Sequence, residues 1–242
     1  MSDATRRALL SAAVMVPTSA AVIAMTSGTA HAAYSWDRKL KKGMKGNDVK
    51  QLQIRVAGYP GYGNILSLDG EFGARTESAV KRFQKAYGLA ADGVAGSRTF
   101  RKIYSLQDGD NTPKHFSYAE LNGCNSSWAG GTVSSTTAKY RALITMWKLE
   151  AMRHALGDKS ISVSSGFRSK ACNDAVGGAS NSQHMTGSAA DLVGSHSLCT
   201  LAKQARYHGF GTILGPGYDG HGDHVHLDGL NRIYWSAPNC GV

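Results

Sequence analysis

Proline and cysteine are both scarce in this chain, which has 5 prolines and 4 cysteines among 242 residues. A hydrophobic content of 42% and a charged content of 18% exclude a collagen-like repeat, an extended disordered chain and a coiled coil. The cysteines form no C-x-x-C pair, which argues against a zinc site made of thiolates. Acidic residues are also few, so the net charge is +10. Such a charge indicates a nucleic acid, an anionic lipid or an acidic polymer as partner.

Residues 1–32 are predicted to be a cleaved signal peptide. Arg6 and Arg7 precede an apolar stretch over 8–25, and Ala30-His31-Ala32 is an A-x-A-like cleavage site. The paired arginines also resemble a twin-arginine export signal. A membrane anchor is the alternative, but proline and hydroxyl residues interrupt the stretch and no second spanning segment follows. We therefore expect a secreted protein without stable membrane association.

The cysteines agree with export. All four lie in the second half of the chain, and an even number in an oxidising compartment predicts two disulfides. Three pairings are possible, and the sequence leaves the choice open. The pairing that joins successive segments without crossing, Cys124–Cys172 with Cys199–Cys240, is favoured.

The segment 43–104 contains an internal repeat. Asp69-Gly70, Gly73, Arg75 and Thr76 recur 23 positions later as Asp92-Gly93, Gly96, Arg98 and Thr99. Each copy is typical of a glycine-rich turn that leads into a helix, with the threonine as its N-cap. Helical spacing of Ala79, Val80, Phe83 and Tyr87, and of Val49, Leu52 and Ile54, predicts two helices of a small helical domain.

This segment resembles the type 1 peptidoglycan-binding domain, a three-helix module. The matching pieces are Gly46-x-x-Val49-x-x-Leu52-Gln53, the stretch from Asp69 to Gln84, and Gly88-Leu89-x-x-Asp92-Gly93-x-x-Gly96-x-x-Thr99. The resemblance implies a peptidoglycan-binding domain over 40–106. Caps and turns alone explain the individual residues, so binding to the wall rests on the family resemblance.

A second domain of the α+β class is predicted after a polar linker at 107–114. Within 115–242 the clearest helix covers 136–156, with Ser135 as cap and Gly157 as stop, and another lies near 198–208. Short strands are expected at 161–163, 190–193, 212–214 and 224–227.

Histidines and carboxylates are concentrated in two short stretches of this domain. The first contains His184 and Asp191, and the second is His221-Gly222-Asp223-His224-Val225-His226. In a strand, His224 and His226 would share one face. Two imidazoles with a further histidine and a carboxylate suit zinc with an open coordination position. Spacing alone leaves a metal site and ordinary surface or core histidines about equally favoured.

Three separated motifs resemble the zinc D-alanyl-D-alanine carboxypeptidase and dipeptidase family, whose fold is shared with the hedgehog signalling domain. They are Ser165-Gly166-Phe167-Arg168-Ser169, then Ser182-x-His184-x-x-Gly187-x-Ala189-x-Asp191, then Asp223-x-x-His226. The order of the two domains on an exported chain is most similar to that of the actinobacterial zinc DD-carboxypeptidases.

This resemblance implies one Zn²⁺ per chain, held by His184, Asp191 and His226. It implies that Arg168 binds the substrate's terminal carboxylate or the developing oxyanion. Asp223 would be the general base on the attacking water, although many relatives have glutamate there. His224 would stabilise the oxyanion or hold Asp223, and His221 is a weaker candidate for substrate binding.

The expected protein is therefore a secreted, wall-associated, monomeric peptidase that removes terminal D-alanine from peptidoglycan stem peptides. An endopeptidase that cuts peptide cross-links is the alternative enzyme, and a non-catalytic zinc-containing wall-binding protein is the alternative outside enzymes. A nucleic-acid partner would explain the charge but neither the export signal nor the disulfides, so none is expected.

Overall fold

The structure is a computed structural model that describes residues 33–124 and 127–242. The predicted signal peptide, 1–32, lies outside the described residues. Among the described residues no helix has the length and apolar character needed to cross a membrane. The α-helices are α1 (Asn47–Arg55), α2 (Ala74–Ala86), α3 (Ser97–Leu106), α4 (Ser135–Ala155), α5 (Lys170–Ala175) and α6 (Leu198–Ala205). The strands are β1 (Ser162–Ser165), β2 (Ala189–Val193), β3 (Thr212–Leu214), β4 (Val225–Asp228) and β5 (Tyr234–Ser236).

Two buried glutamines explain the internal repeat. Gln53 Nε2 donates to Asp69 Oδ1 at 2.9 Å and to Thr76 Oγ1 at 3.1 Å, and Gln53 Oε1 accepts from the Gly70 amide at 2.8 Å. The side chain of Gln53, in α1, thus binds the turn that precedes α2. It pairs polar groups that burial would otherwise leave without a hydrogen-bond partner.

The second copy repeats this arrangement with Gln84. Its Nε2 donates to Asp92 Oδ1 at 2.8 Å and to Thr99 Oγ1 at 3.1 Å, while its Oε1 accepts from the Gly93 amide at 2.9 Å. The repeat therefore encodes two equivalent turns in one helical module.

The threonines of the repeat are not N-caps, contrary to the prediction. The N-cap positions of α2 and α3 are Gly73 and Gly96, and the threonines lie inside the first turn of each helix, almost fully buried. Their hydroxyls bind the glutamine amides instead, so a tertiary contact replaces the local capping bond.

The second domain packs α4 and α6 against a five-stranded sheet of order β1-β2-β4-β3-β5. All strand pairs are antiparallel except β3 with β5. On the central pair, Asp191 of β2 lies directly opposite His226 of β4, so both side chains leave the same face of the sheet. The predicted α+β class is confirmed.

Predicted elements of this domain differ little from the observed ones. The predicted cap of the long helix is wrong by one residue: Ser135 is the first helical residue, and the N-cap is Ser134, whose hydroxyl accepts from the Thr137 amide. Gly157 follows the helix with a φ of 79°. Strand β5 is absent from the predictions because its short, partly exposed sequence carries no clear alternation.

The helical module and the α+β domain share one continuous hydrophobic core. Buried residues from Leu40 through Trp147 to Cys240 belong to a single cluster. At Gly58 the helical module approaches α4 so closely that an added Cβ would lie 2.4 Å from Ala151 Cβ, which explains why this position is a glycine. The segment 107–114 is an ordered turn closed by a bridge between Gln107 and Pro113.

A polar contact also joins the two domains at this junction, where His208 Nδ1 donates to the Gly58 carbonyl at 2.7 Å. Within the α+β domain, Lys148 Nζ donates to the Gly209 carbonyl at 2.7 Å. Burial lowers the pKa of His208 to about 4 and that of Lys148 to about 8. Both groups are inside the junction rather than at its rim.

Both disulfides have the pairing that the sequence favoured. Cys124 pairs with Cys172 and Cys199 with Cys240. The first joins the segment before α4 to α5, and the second joins α6 to the turn after β5.

Candidate metal centre

Three side chains from separate parts of the α+β domain converge on one point. One ligand atom from each of His184, Asp191 and His226 lies within 4.8 Å of the other two. Asp191 Oδ1 is 3.1 Å from His184 Nε2 and 2.9 Å from His226 Nδ1, and the two ring nitrogens are 3.1 Å apart. Two imidazole nitrogens and a carboxylate oxygen at such separations are a donor set that suits Zn²⁺.

The chain places His184 on a single turn of 3-10 helix, Gln183–Thr186, ahead of β2. The Ser182 hydroxyl caps that turn by accepting from the His184 amide at 3.3 Å. Gly187 ends it with a φ of 77°, where a Cβ would lie 2.3 Å from the Ala138 carbonyl oxygen. The serine and glycine of this motif therefore shape the turn that carries the histidine.

A backbone bond fixes the orientation of His184. Its Nδ1 donates to the Gly166 carbonyl at 2.6 Å, which leaves Nε2 unprotonated in the neutral ring. Burial lowers the pKa of His184 and so favours that neutral form. Gly166 also lies against Leu121, whose carbonyl oxygen would be 2.4 Å from an added Cβ.

Asp191 holds its negative charge despite burial. Burial acts to raise its pKa, but the interactions with the neighbouring imidazoles of His184 and His226 outweigh that and hold the pKa well below its usual range. Its second oxygen, Oδ2, accepts from Arg168 Nη2 at 2.6 Å. One carboxylate thus serves the two imidazoles on one oxygen and the guanidinium on the other.

Asp228 is a buried carboxylate behind His226 that the sequence interpretation missed. Its Oδ2 lies 3.6 Å from His226 Nε2, and its side chain is 4% exposed. Burial disfavours the charged imidazole, but Asp191 and Asp228 together raise the pKa of His226 to about 9. The sequence could have indicated Asp228, because a residue two positions after His226 lies on the same face of a strand.

The predicted catalytic residues are partly brought together. Arg168, His221 and His224 line one pocket of about 650 Å³ with the three converging side chains. Asp223 is not part of the lining of this pocket. Its carboxylate is 91% exposed and accepts from His224 Nδ1 at 2.7 Å. The other ring nitrogen of His224 lies 3.9 Å from Asp191 Oδ1.

Arg168 is held on two sides. Besides Asp191, its guanidinium reaches Ser165, with Nε donating to Oγ at 2.8 Å. The pocket wall further includes Tyr218, Arg232 and Tyr234, none of which the sequence motifs singled out. Tyr218 packs edge-on against His221, with ring centroids 5.3 Å apart.

Comparisons with known proteins agree with this arrangement. Residues 114–228 match the peptidase M15 family, and residues 45–103 match a family described as a putative peptidoglycan binding domain. The "Zinc D-Ala-D-Ala carboxypeptidase" of Streptomyces albus G is 59% identical over 231 residues, which cover 95% of this chain and 91% of that protein.

Other matches are shorter. A "Probable N-acetylmuramoyl-L-alanine amidase" of Bacillus licheniformis is 46% identical over 67 residues, 26% of this chain and 19% of that protein. Among solved structures, a peptidoglycan-binding protein from Clostridioides difficile in complex with glutamine hydroxamate is 42% identical. That match covers 27% of this chain and 39% of the other, with a TM-score of 0.24. From the match along nearly its whole length, the chain belongs to the peptidase M15 family, within the group of zinc D-Ala-D-Ala carboxypeptidases.

Proposed function

We propose that this protein is a zinc-dependent carboxypeptidase that hydrolyses the terminal D-alanyl-D-alanine bond of peptidoglycan stem peptides. The observation that carries the proposal is the convergence of His184 Nε2, Asp191 Oδ1 and His226 Nδ1 in one pocket of about 650 Å³. The high identity to an enzyme named for this activity supports the choice of substrate.

The three converging atoms would hold one Zn²⁺. When bound, zinc lowers the pKa of a water molecule to about 7 and polarises the carbonyl that is attacked. Gly166 and Asp228 would fix the rings of His184 and His226, since a histidine ligand is oriented by the partner of its other nitrogen. Three protein ligands leave a coordination position open, as catalytic sites require.

His224 is the better-placed general base. Its Nε2 faces the converging ligand atoms, whereas the Asp223 carboxylate lies behind its Nδ1 and faces solvent. His224 would accept the proton of the attacking water and pass it to the leaving amine. Asp223 would hold the ring in place by accepting from its Nδ1.

Arg168 would recognise the free carboxylate at the end of the substrate or the oxyanion that forms on attack. A guanidinium has five N–H donors. The bonds to Ser165 and Asp191 therefore leave donors that a bound peptide can use. The same bonds fix the plane of the guanidinium, which favours two-point recognition.

The remaining proposals concern location and organisation. An exported, wall-associated protein fits the signal-like segment 1–32 and the two disulfides. We further propose that it is a monomer. We place the peptidoglycan-binding domain at 40–106, the connecting turn at 107–114 and the peptidase domain at 115–242. Substrate and wall polymer are then both peptidoglycan.

Zinc analysis of single variants tests the metal site. His184→Ala, Asp191→Ala and His226→Ala should each lose stoichiometric zinc. His224→Gln is the matched control, because it removes a histidine of the same pocket without removing a ligand, and it should retain zinc. It should also lower kcat by about 10²–10⁴-fold, the usual contribution of a general base. Full zinc in the three ligand variants would overturn the site.

The roles of His224 and Asp223 are separated by comparing their variants. Asp223→Asn should reduce kcat by less than His224→Gln does. A loss as large or larger would make Asp223 the base.

Mass spectrometry of products tests the reaction. An acylated peptide ending in D-Ala-D-Ala should release one D-alanine, whereas cross-linked muropeptides should keep their cross-links. Cleavage confined to cross-links would assign the protein to the endopeptidases.

A further inference from the structure

A second cavity lies at the junction of the two domains, beside the pocket that His184, Asp191 and His226 line, which is called the zinc pocket below. Its volume is about 520 Å³, and it is formed by the module loop 65–69, the middle of α4 and the loops around 183–188 and 229–231. Both domains therefore contribute to its walls. The size is typical of a site for a small ligand or a short peptide.

The two cavities are neighbours. Gln183 and Leu230, both partly exposed, line the zinc pocket and the junction cavity alike. Gln183 directly precedes the proposed ligand His184, and its Oε1 accepts from Ser188 Oγ at 3.3 Å. A chain that leaves the zinc pocket over these two side chains enters the junction cavity.

The lining of the junction cavity suits a peptide with a carboxylate. Apolar surface comes from Leu68 and Ile144, and Asn231 contributes an amide side chain. Arg141 contributes a positive charge, whereas Lys148 already donates to the Gly209 carbonyl. The carboxylate of Asp69 also lines the cavity, and its Oδ1 accepts from Gln53 Nε2 and from the Glu71 amide. The site therefore combines aliphatic contact with one cation available for a carboxylate.

We propose that the junction cavity binds the part of the stem peptide that precedes D-Ala-D-Ala. This inference rests on the proposed function, because it assumes that the terminal residues occupy the zinc pocket. A substrate longer than that pocket must leave it, and the shared wall of Gln183 and Leu230 provides the route. The peptidoglycan-binding domain then takes part in recognising the peptide as well as the wall.

Two peptides with the same end test the proposal. One is a short acylated residue followed by D-Ala-D-Ala, and the other is a full pentapeptide with a free side-chain carboxylate. Ser67→Trp fills the cavity from an exposed position of the module loop. It should lower kcat/KM about tenfold for the pentapeptide, equivalent to about 1.4 kcal/mol, and change that of the short peptide by at most about twofold.

Ser78→Trp is the matched control, since this exposed serine of the same module faces a different cavity. It should leave both peptides unaffected. Arg141→Gln should weaken the pentapeptide alone, and the loss should disappear when the side-chain carboxylate is amidated. Equal effects of Ser67→Trp on both peptides, or none on either, would overturn the proposal.

Binding measurements keep this inference separate from the proposed function. The tetrapeptide product should bind the zinc-loaded wild type and Ser78→Trp alike, and Ser67→Trp about tenfold more weakly. If the wild type hydrolyses neither peptide, the proposed function is refuted. The binding measurements with the tetrapeptide would still show whether the junction cavity binds the peptide. An effect of Ser67→Trp only on a ligand that carries the disaccharide would assign the cavity to sugar and overturn the peptide proposal.

Discussion

Mild acid should lower the free energy of unfolding of the protein. Protonation of His208, at the junction between the domains, should account for part of that decrease. Its ring donates to the Gly58 carbonyl from Nδ1, while Nε2 is 2.9 Å from Gln204 Nε2, which donates to it. The bond from Gln204 requires an unprotonated Nε2 and so the neutral ring, whereas Nδ1 donates to Gly58 in either protonation state. Burial lowers the pKa of His208 from 6.5 to about 4 in the folded protein.

The unfolded chain therefore takes up a proton on this histidine before the folded protein does. As the pH falls from about 6.5 towards 4, the free energy of unfolding decreases, and below 4 the loss from this group is complete. Between pH 7 and pH 5 the two pKa values correspond to a loss of about 2 kcal/mol.

Urea unfolding at the two pH values measures this loss. Wild type and His208→Gln should be compared without metal and with disulfides intact, so that zinc binding does not contribute. Glutamine keeps an amide that can donate to Gly58 but does not titrate. The stability difference between pH 7 and pH 5 should be smaller in the variant by about 2 kcal/mol. An identical pH dependence in both proteins would refute the account of His208.

Three further outcomes are expected. Asp228→Asn should weaken zinc binding about 10–100-fold in competition with a chelator, because it removes the carboxylate behind His226; unchanged affinity would contradict the orienting role. Arg168→Ala should raise KM for a peptide with a free C-terminus and affect its C-terminal amide far less, whereas an equal fall of kcat for both would assign the arginine to the oxyanion. Thiol labelling of the unfolded, unreduced protein should find no free cysteine, since all four are paired; stoichiometric labelling of any one would be inconsistent with the two disulfides.

Local patterns of the sequence were sufficient for most helices and strands. The spacing that predicts α2 and α4 depends on residues three and four apart, and burial of one helix face follows directly from it. The convergence of His184, Asp191 and His226 followed from motif resemblance, and the pairing of β2 with β4 is the physical reason that it occurs.

Contacts between distant residues account for what the sequence did not predict. The bond from His208 to Gly58 spans 150 positions, and no local pattern in either segment indicates it. The repeat threonines look like caps because the glutamines that bind them belong to preceding helices. Asp223 matches a motif by position, but its side chain is exposed, and it is the neighbouring His224 that lies beside Asp191.

The continuous core has a consequence for how the protein works on an insoluble wall. Domains on a flexible linker search a volume set by the length of that linker. Here the segment 107–114 is folded and the core runs through both domains, so the helical module is held at a fixed distance from the metal centre. Once anchored, the protein would cut only stem peptides at that one distance. The positions at which it cleaves would then depend on the spacing of stem peptides along the polymer.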